Sequence, residues 1–180
     1  CAFDGPILAT AFSAFPFTMR ANGKAMAYAG ISGVGTRPEY RRRGLLRKIM
    51  TQSFSDMRER GQSVAGLWAS QAAIYQRYGF SINNHKRRYE IDTSDIRLNE
   101  SNTKALEIIR HTPSEALDTV KDLYREFIQD RMSYLHRSSA LWMNNVLEEG
   151  EDGPVYIAIA YDSEVPKAYV AYTLRANKVK

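Results

Sequence analysis

A chain of 180 residues, 44% of them hydrophobic, is long enough to bury a core and accommodates one domain or two small ones. No stretch approaches the roughly 18–20 consecutive apolar residues of a membrane span, no signal peptide is visible at the start, and the single cysteine, Cys1, excludes an internal disulfide; a cytoplasmic protein is the expectation. The net charge of +5 suits an anionic ligand, and on its own would equally suit nucleic acid or a membrane surface.

Residues 7–19 and 25–36 both read as strands, and the turn Ala21-Asn22-Gly23-Lys24 carries Asn-Gly at its centre, so the two are expected to form an antiparallel hairpin. Within the second strand Met26, Tyr28, Ile31 and Val34 supply the apolar positions. Leu45, Leu46, Ile49, Met50, Phe54 and Met57 then recur at helical spacing, with Gly61 as a C-terminal stop, which predicts a helix over 44–60. Between strand and helix lies Gly33-Val34-Gly35-Thr36-Arg37-Pro38-Glu39-Tyr40-Arg41-Arg42-Arg43-Gly44-Leu45-Leu46. Three arginines therefore fall at a helix N-terminus. The exposed N–H groups and the macrodipole already make that end positive, and cations are preferred at the other. An anion is expected there: free amides, a glycine that admits close approach and flanking guanidinium groups make a site for phosphate or pyrophosphate.

Val64 to Ala69 is a short apolar run suited to a buried parallel strand, and a right-handed crossover through helix 44–60 would set it parallel to strand 25–36. The arginine turn would then lie at the carboxyl end of a parallel strand, where open α/β sheets bind ligands. A second helix follows, within Ser70-Gln71-Ala72-Ala73-Ile74-Tyr75-Gln76-Arg77-Tyr78-Gly79-Phe80. His85-Lys86-Arg87-Arg88 is the other dense basic cluster; it alternates with Asn84, Tyr89 and Ile91 and reads as the solvated face of an edge strand, whose charges discourage aggregation.

From 93 to 102 the chain turns polar, with Asp95, Asn99, Glu100, Ser101 and Asn102, and reads as a linker between a first unit, 1–92, and a second, 103–180. In the second, 106–109 reads as a short strand. Thr112-Pro113-Ser114-Glu115 is a capping box with proline at the first helical position, and Leu117, Val120, Leu123, Tyr124 and Phe127 form an apolar helical face. Residues 155–161 and 168–174 read as a hairpin around 162–167.

The phosphate ligand is narrowed by what is missing. There is no G-x-x-x-x-G-K-[ST], and Gly33-x-Gly35 is followed by Pro38 where a dinucleotide fingerprint needs a third glycine. What remains is R-x-x-G-x-[GA], as Arg41-Arg42-Arg43-Gly44-Leu45-Leu46, with Leu46 departing from the last position. This resembles the pyrophosphate signature of the GNAT superfamily of N-acyltransferases. Together with Leu67-Trp68-Ala69-Ser70, Ile74-Tyr75 and Arg77-Tyr78-Gly79-Phe80, it is similar to the enhanced-intracellular-survival (Eis-like) acetyltransferases, over roughly 25–92 and more weakly over 112–174.

That resemblance implies a GNAT-type α/β fold: a mixed sheet with flanking helices, its pyrophosphate turn at 41–47, followed by the beginning of a second GNAT-like domain without a coenzyme A motif. It implies acetyl-coenzyme A as cosubstrate, no metal, an amine acceptor such as an aminoglycoside, a polyamine or a protein lysine, and a homo-oligomer. The cofactor contacts would be Val34, Gly35 and Thr36 along the pantetheine arm, Arg42, Arg43, Gly44, Leu45, Leu46 and Arg47 at the pyrophosphate, and Ser70 and Gln71 after the next strand. Ser70 reads equally as a strand-end or helix-capping hydroxyl.

Transfer from a thioester to an amine needs a proton acceptor, an oxyanion donor and a proton donor. A tyrosine phenol, ordinarily near 10, is a plausible donor to a thiolate whose thiol is nearer 8.5. By resemblance the general acid is Tyr75, with packing beside Tyr78 as its structural alternative, and the backbone amides of 34–36 are the oxyanion donors. The base in the resembled family is the C-terminal carboxylate of a sterol-carrier-like domain, which has no counterpart here; Lys180 does not inherit the role. The first unit also lacks the family's opening strand and helices, and the expectation is a portion of a longer polypeptide. His85, His111 and His136 show no metal-ligand spacing, and no G-x-S-x-G is present. The acidic residues that a polycationic acceptor would need, such as Glu149, Glu151 and Asp152, fall in an expected loop, and the acceptor groove is not legible in the sequence. Two other readings stand beside acetyl transfer: a non-catalytic acyl-coenzyme A-binding regulatory module, and an RNA-binding domain using both basic clusters.

Overall fold

The computed structural model describes residues 1–97, 106–151 and 153–174. Asn99, Glu100, Ser101 and Asn102 of the expected linker, and Asp152 and Lys180, lie outside the described residues. In chain order the elements are β1 (Ala2–Asp4), β2 (Ile7–Ala21), β3 (Lys24–Thr36), a 3₁₀ turn (Pro38–Tyr40), α1 (Leu45–Glu59), β4 (Val64–Leu67), α2 (Ala72–Gln76), a 3₁₀ turn (Thr93–Asp95), β5 (Glu107–His111), α3 (Pro113–Ile128), β6 (Tyr134–Leu135), α4 (Ser139–Leu141) running into a π-helical turn (Trp142–Val146), β7 (Val155–Asp162) and β8 (Val165–Thr173). They divide into two compact units, Cys1–Arg88 with Met132–Leu135, and Tyr89–Arg131 with His136–Lys180.

The first unit is built on a sheet in the order β1-β2-β3-β4, with β6 also pairing on β2. Asn22 and Gly23 take φ of 49° and 74°, the two left-handed residues of a tight hairpin turn whose twist matches the flanking strands, and Ala21 pairs with Lys24. The alternation along β2 and β3 then turns Phe12, Ala14, Ala29 and Ile31 to one face, where they pack with Phe54 and Met57 of α1. Through α1 the chain crosses to β4, which runs parallel to β3 with Tyr28 opposite Val64 and Ile31 opposite Leu67.

The alternating stretch 84–91 is not a strand. It has no regular structure and every residue in it is exposed, Tyr89 by 75% and Ile91 by 66%. Alternation makes a strand only where a neighbouring edge and a surface to bury against are at hand; here neither covers the apolar positions.

In the second unit β5, β7 and β8 form an antiparallel sheet in that order. Ala116, Val120, Tyr124 and Ile128 of α3 pack with Trp142, Leu147, Ile157 and Ile159. The buried row advances in steps of four, so it takes Ile128 in place of the expected Phe127, which is 47% exposed and covered by the Arg131 guanidinium 4.0 Å above its ring. The β7–β8 turn is tighter than expected, because Ser163 and Glu164 adopt φ of 51° and 69° and β8 already begins at Val165. Among the described residues no helix is long and apolar enough to cross a membrane.

The capping box of α3 forms as expected. The Thr112 amide donates to Glu115 Oε2 at 2.8 Å, the Thr112 hydroxyl donates to the same oxygen at 2.7 Å, and the Glu115 amide reaches back to Thr112 Oγ1. These hydrogen bonds hold the Glu115 carboxyl below the ordinary glutamate value. Thr112→Ala is expected to cost about 1 kcal/mol, read as a lower urea midpoint. A depressed carboxyl stabilises above its ordinary value of 4.5 and loses that contribution as the pH falls through the lowered one. Glu115→Ala should therefore be less stable than the parent at pH 7, and the gap should narrow in urea titrations below pH 4.5; a constant gap would contradict the linkage.

Candidate active site

Strands β3 and β4 part company. Their pairing ends at Ile31 and Leu67, yet β3 continues to Thr36, so alternate residues of 32–36 direct N–H and C=O toward a side on which no strand sits among the described residues. At the same place the β2–β3 register slips between Ala11 and Ser13, leaving Gly33 and Val34 opposite Phe12 alone. Gly33, at φ 60°, supplies the left-handed conformation of such a bulge, and a bulge bends its strand and increases its twist. The result is a wedge between the carboxyl ends of two parallel strands. Val34, Gly35 and Thr36 form one lip; β4 leads on the other to Ser70, Gln71 and α2.

Beside the first lip is the arginine turn. After the 3₁₀ turn Pro38–Tyr40 the chain passes through two left-handed residues, Arg42 at φ 60° and Gly44 at φ 76°, before α1 begins. Gly44 is the N-cap of α1 and offers no side-chain acceptor; the first turn contains no acid. The first intrahelical bond runs from Lys48 N–H to Gly44 C=O, so the amides of Leu45, Leu46 and Arg47 have no acceptor within the helix.

The three arginines are held differently. Arg41 Nε donates to the Thr36 carbonyl at 3.3 Å, tying the turn to the end of β3. Arg43 lies over the Tyr40 ring, 5.1 Å from its centroid. Arg42 is exposed. Tyr40 itself is buried and donates its phenol proton to Asp4 Oδ2 at 3.0 Å; that hydrogen bond, then burial, raises its pKa. Arg37 and Glu39 approach to 3.7 Å, but both are more than half exposed, so their pairing contributes little.

Ser70 and Gln71 are exposed. The N-cap of α2 is Gln71, without a side-chain cap bond, so Ser70 is not a capping hydroxyl. Tyr75 is 8% exposed; its ring meets Phe80 edge-on at 6.0 Å, whereas Tyr78 packs on Phe54 at 6.5 Å. An open recess of about 610 Å³ lined by residues including Met57, Gln62 and Phe80 lies at the start of β4 and the end of α1, away from the arginine turn. Of the histidines, His85 is exposed, and His111 Nε2 lies 3.2 Å from the Tyr161 hydroxyl. Glu149 and Glu151 are exposed in the second unit.

Tyr40 and Asp4 did not emerge from the sequence. Tyr40 precedes Arg43 by three residues within the same turn, a spacing that could have been noticed. Asp4 lies 36 residues away with no local signal.

Residues 1–83 match the family described as the acetyltransferase (GNAT) domain. An uncharacterized N-acetyltransferase of Streptomyces coelicolor is 33% identical over 144 residues, 77% of this chain and 35% of the relative. N-acetyltransferase Eis of Mycobacterium tuberculosis is 26% identical over 161 residues, 84% of this chain and 39% of Eis. Among solved structures, a conserved Enterococcus faecalis protein described as a probable N-acyltransferase superposes with a TM-score of 0.76 at 25% identity, covering 93% of this chain and 42% of that one. The mixed α/β architecture is thus the GNAT fold, residues 1–83 match the GNAT acetyltransferase domain, and Eis is among the chain's homologues. It spans about a third of the length of the Streptomyces relatives it matches.

Gly44 at φ 76° sets the entry to α1. Gly44→Ala is expected to destabilise the first unit by about 1 kcal/mol, while Gly44→Asn, better tolerated in this conformation, costs less. Thermal unfolding of the three proteins checks the order.

Proposed function

We propose that this chain provides the acetyl-coenzyme A site and the general acid of an N-acetyltransferase that acetylates an amine by direct transfer. The observation that carries this is the acid-free, arginine-flanked N-terminus of α1 beside the place where β3 leaves β4. Under this reading Arg42, Arg43, Gly44 and the amides of Leu45, Leu46 and Arg47 receive the pyrophosphate, an anion matched to unpaired N–H groups and guanidinium forks. Val34, Gly35 and Thr36 offer strand-edge amides to the pantetheine arm and to the developing oxyanion. Ser70 and Gln71 flank the arm from the other lip. Acetyl-coenzyme A supplies the thioester; the acceptor nitrogen forms the new bond as the C–S bond breaks, and Tyr75 gives its proton to the departing sulfur. The acceptor's proton passes to a base outside the residues assigned here.

The relatives' names support an amine as acceptor in general; a small polyamine, an aminoglycoside or a lysine side chain each meets that description. The sequence of the second unit carries no R-x-x-G-x-[GA], and we take it as the beginning of a second GNAT-like domain that does not bind the cofactor. The likeness to the Enterococcus protein, covering 93% of the chain, supports this by reaching into that unit. A cytoplasmic homo-oligomer completes the proposal.

One observation favours the non-catalytic alternative: Tyr75 is buried against Phe80, as a packing residue would be. Two experiments on the full-length protein decide. Changing Arg42 and Arg43 together to Ala should weaken coenzyme A by calorimetry by about 1.5–3 kcal/mol per lost charge-assisted contact, before non-additivity; unchanged affinity removes the assignment. Tyr75→Phe keeps the ring and removes the proton, so thiol release from acetyl-coenzyme A should fall by roughly 100-fold at nearly constant coenzyme A affinity. A parental rate in the Phe variant makes Tyr75 a packing residue.

A further inference from the structure

We infer that Tyr40, anchored by Asp4, is a positioning residue that aims Arg43 into the pyrophosphate turn. This rests on the proposed cofactor reading and extends it to two residues that no motif contains. An arginine on an exposed loop samples many rotamers and must surrender that freedom when it grips a phosphate. Arg43 has part of that freedom removed in advance. Its guanidinium carbon lies 5.1 Å from the centroid of the Tyr40 ring, within the range of a cation–π contact. The ring is fixed in turn: it is 8% exposed, its phenol donates to Asp4 Oδ2 at 3.0 Å, and its amide closes the 3₁₀ turn on the Arg37 carbonyl.

Asp4 sits at the end of β1, a strand of only three residues at the edge of the sheet, paired opposite Ile7. A carboxylate near an anion-binding turn would ordinarily oppose the ligand. Here it accepts a hydrogen bond from the phenol of a buried tyrosine, whose ring face carries the guanidinium. Arg43 thus keeps N–H donors for new hydrogen bonds, because its contact with the ring face is made through the charge of the guanidinium.

The test is a double-mutant cycle on the full-length protein, read by calorimetry with coenzyme A and with acetyl-pantetheine, which lacks the pyrophosphate. Tyr40→Leu should raise the dissociation constant for coenzyme A about three- to tenfold and leave that for acetyl-pantetheine unchanged. The loss should vanish when Tyr40→Leu is made in an Arg43→Ala background. Tyr40→Phe keeps the π face but gives up the hydrogen bond to Asp4, so it should restore only part of the affinity. Where Tyr40→Leu fails to fold, Tyr40→Met, whose longer unbranched side chain adapts to the buried space without a π face, takes its place. An equal loss for acetyl-pantetheine, or a loss that persists undiminished without Arg43, would show a general structural role and overturn the inference. If the Arg42 and Arg43 variants weaken coenzyme A while Tyr40→Leu does not, the inference falls and the cofactor reading stands; if the parent binds no coenzyme A, both fall.

Discussion

Everything at the candidate site depends on β3 outlasting its partner. Four residues of β4 pair with β3, and then β3 runs on for five more with one edge open. Backbone amides at an open edge are a liability in most sheets, since they template further strand pairing. Two features manage it here. The bulge at Gly33 and Val34 bends the strand just past the end of its pairing with β4, and Arg41 ties up the Thr36 carbonyl at the very tip. The edge that remains is short, bent and flanked by positive charge, which suits a narrow polar ligand better than another strand.

The same break decides where the charges gather. Because β3 leads into a 3₁₀ turn and then a glycine-capped helix, the unpaired amides of α1 and the three arginines fall within one short stretch of chain, with no acidic side chain in the first helical turn to neutralise them. Repulsion among three consecutive arginines is relieved by giving each a different anchor: a carbonyl for Arg41, an aromatic face for Arg43, and solvent for Arg42. Arg42 also sits at φ 60°, an unfavourable conformation for a residue with a Cβ. Strain of this sort persists where the surroundings impose it, and here the neighbouring turn and glycine cap do so.

How much of this could be read from the residues varies with how local the cause is. The arginine turn was legible because strand pattern, R-x-x-G and helix pattern are contiguous, and each alone predicts what the next requires. The hairpin was legible from Asn-Gly, and the α3 cap from Thr112 and Glu115, for the same reason. The wedge was not: where β3 and β4 stop pairing depends on a register slip against β2, and period-two alternation carries no record of the partner. The stretch 84–91 shows the reverse error, alternation without an edge to join. Tyr40 and Asp4 were missed because a hydrogen bond across 36 residues is set by the return of β1 onto β2.

Three tyrosines of the first unit, Tyr28, Tyr40 and Tyr75, sort themselves chemically. Tyr40 and Tyr75 are equally buried, each 8% exposed, but the Tyr40 proton is committed to Asp4, and that bond raises its pKa. A phenol held by a carboxylate is a poor donor to anything else. Tyr28 is disfavoured as well, its pKa raised by burial, and it lies at the start of the β3–β4 pairing, away from the open end. Tyr75 is different in place: it stands on the short helix that follows β4, on the lip opposite the arginine turn. A general acid for a leaving thiolate should be shielded from bulk water and yet lie where the leaving sulfur arrives. Burial against Phe80 is therefore compatible with both packing and acid catalysis, and position relative to the wedge is what separates Tyr75 from the other two.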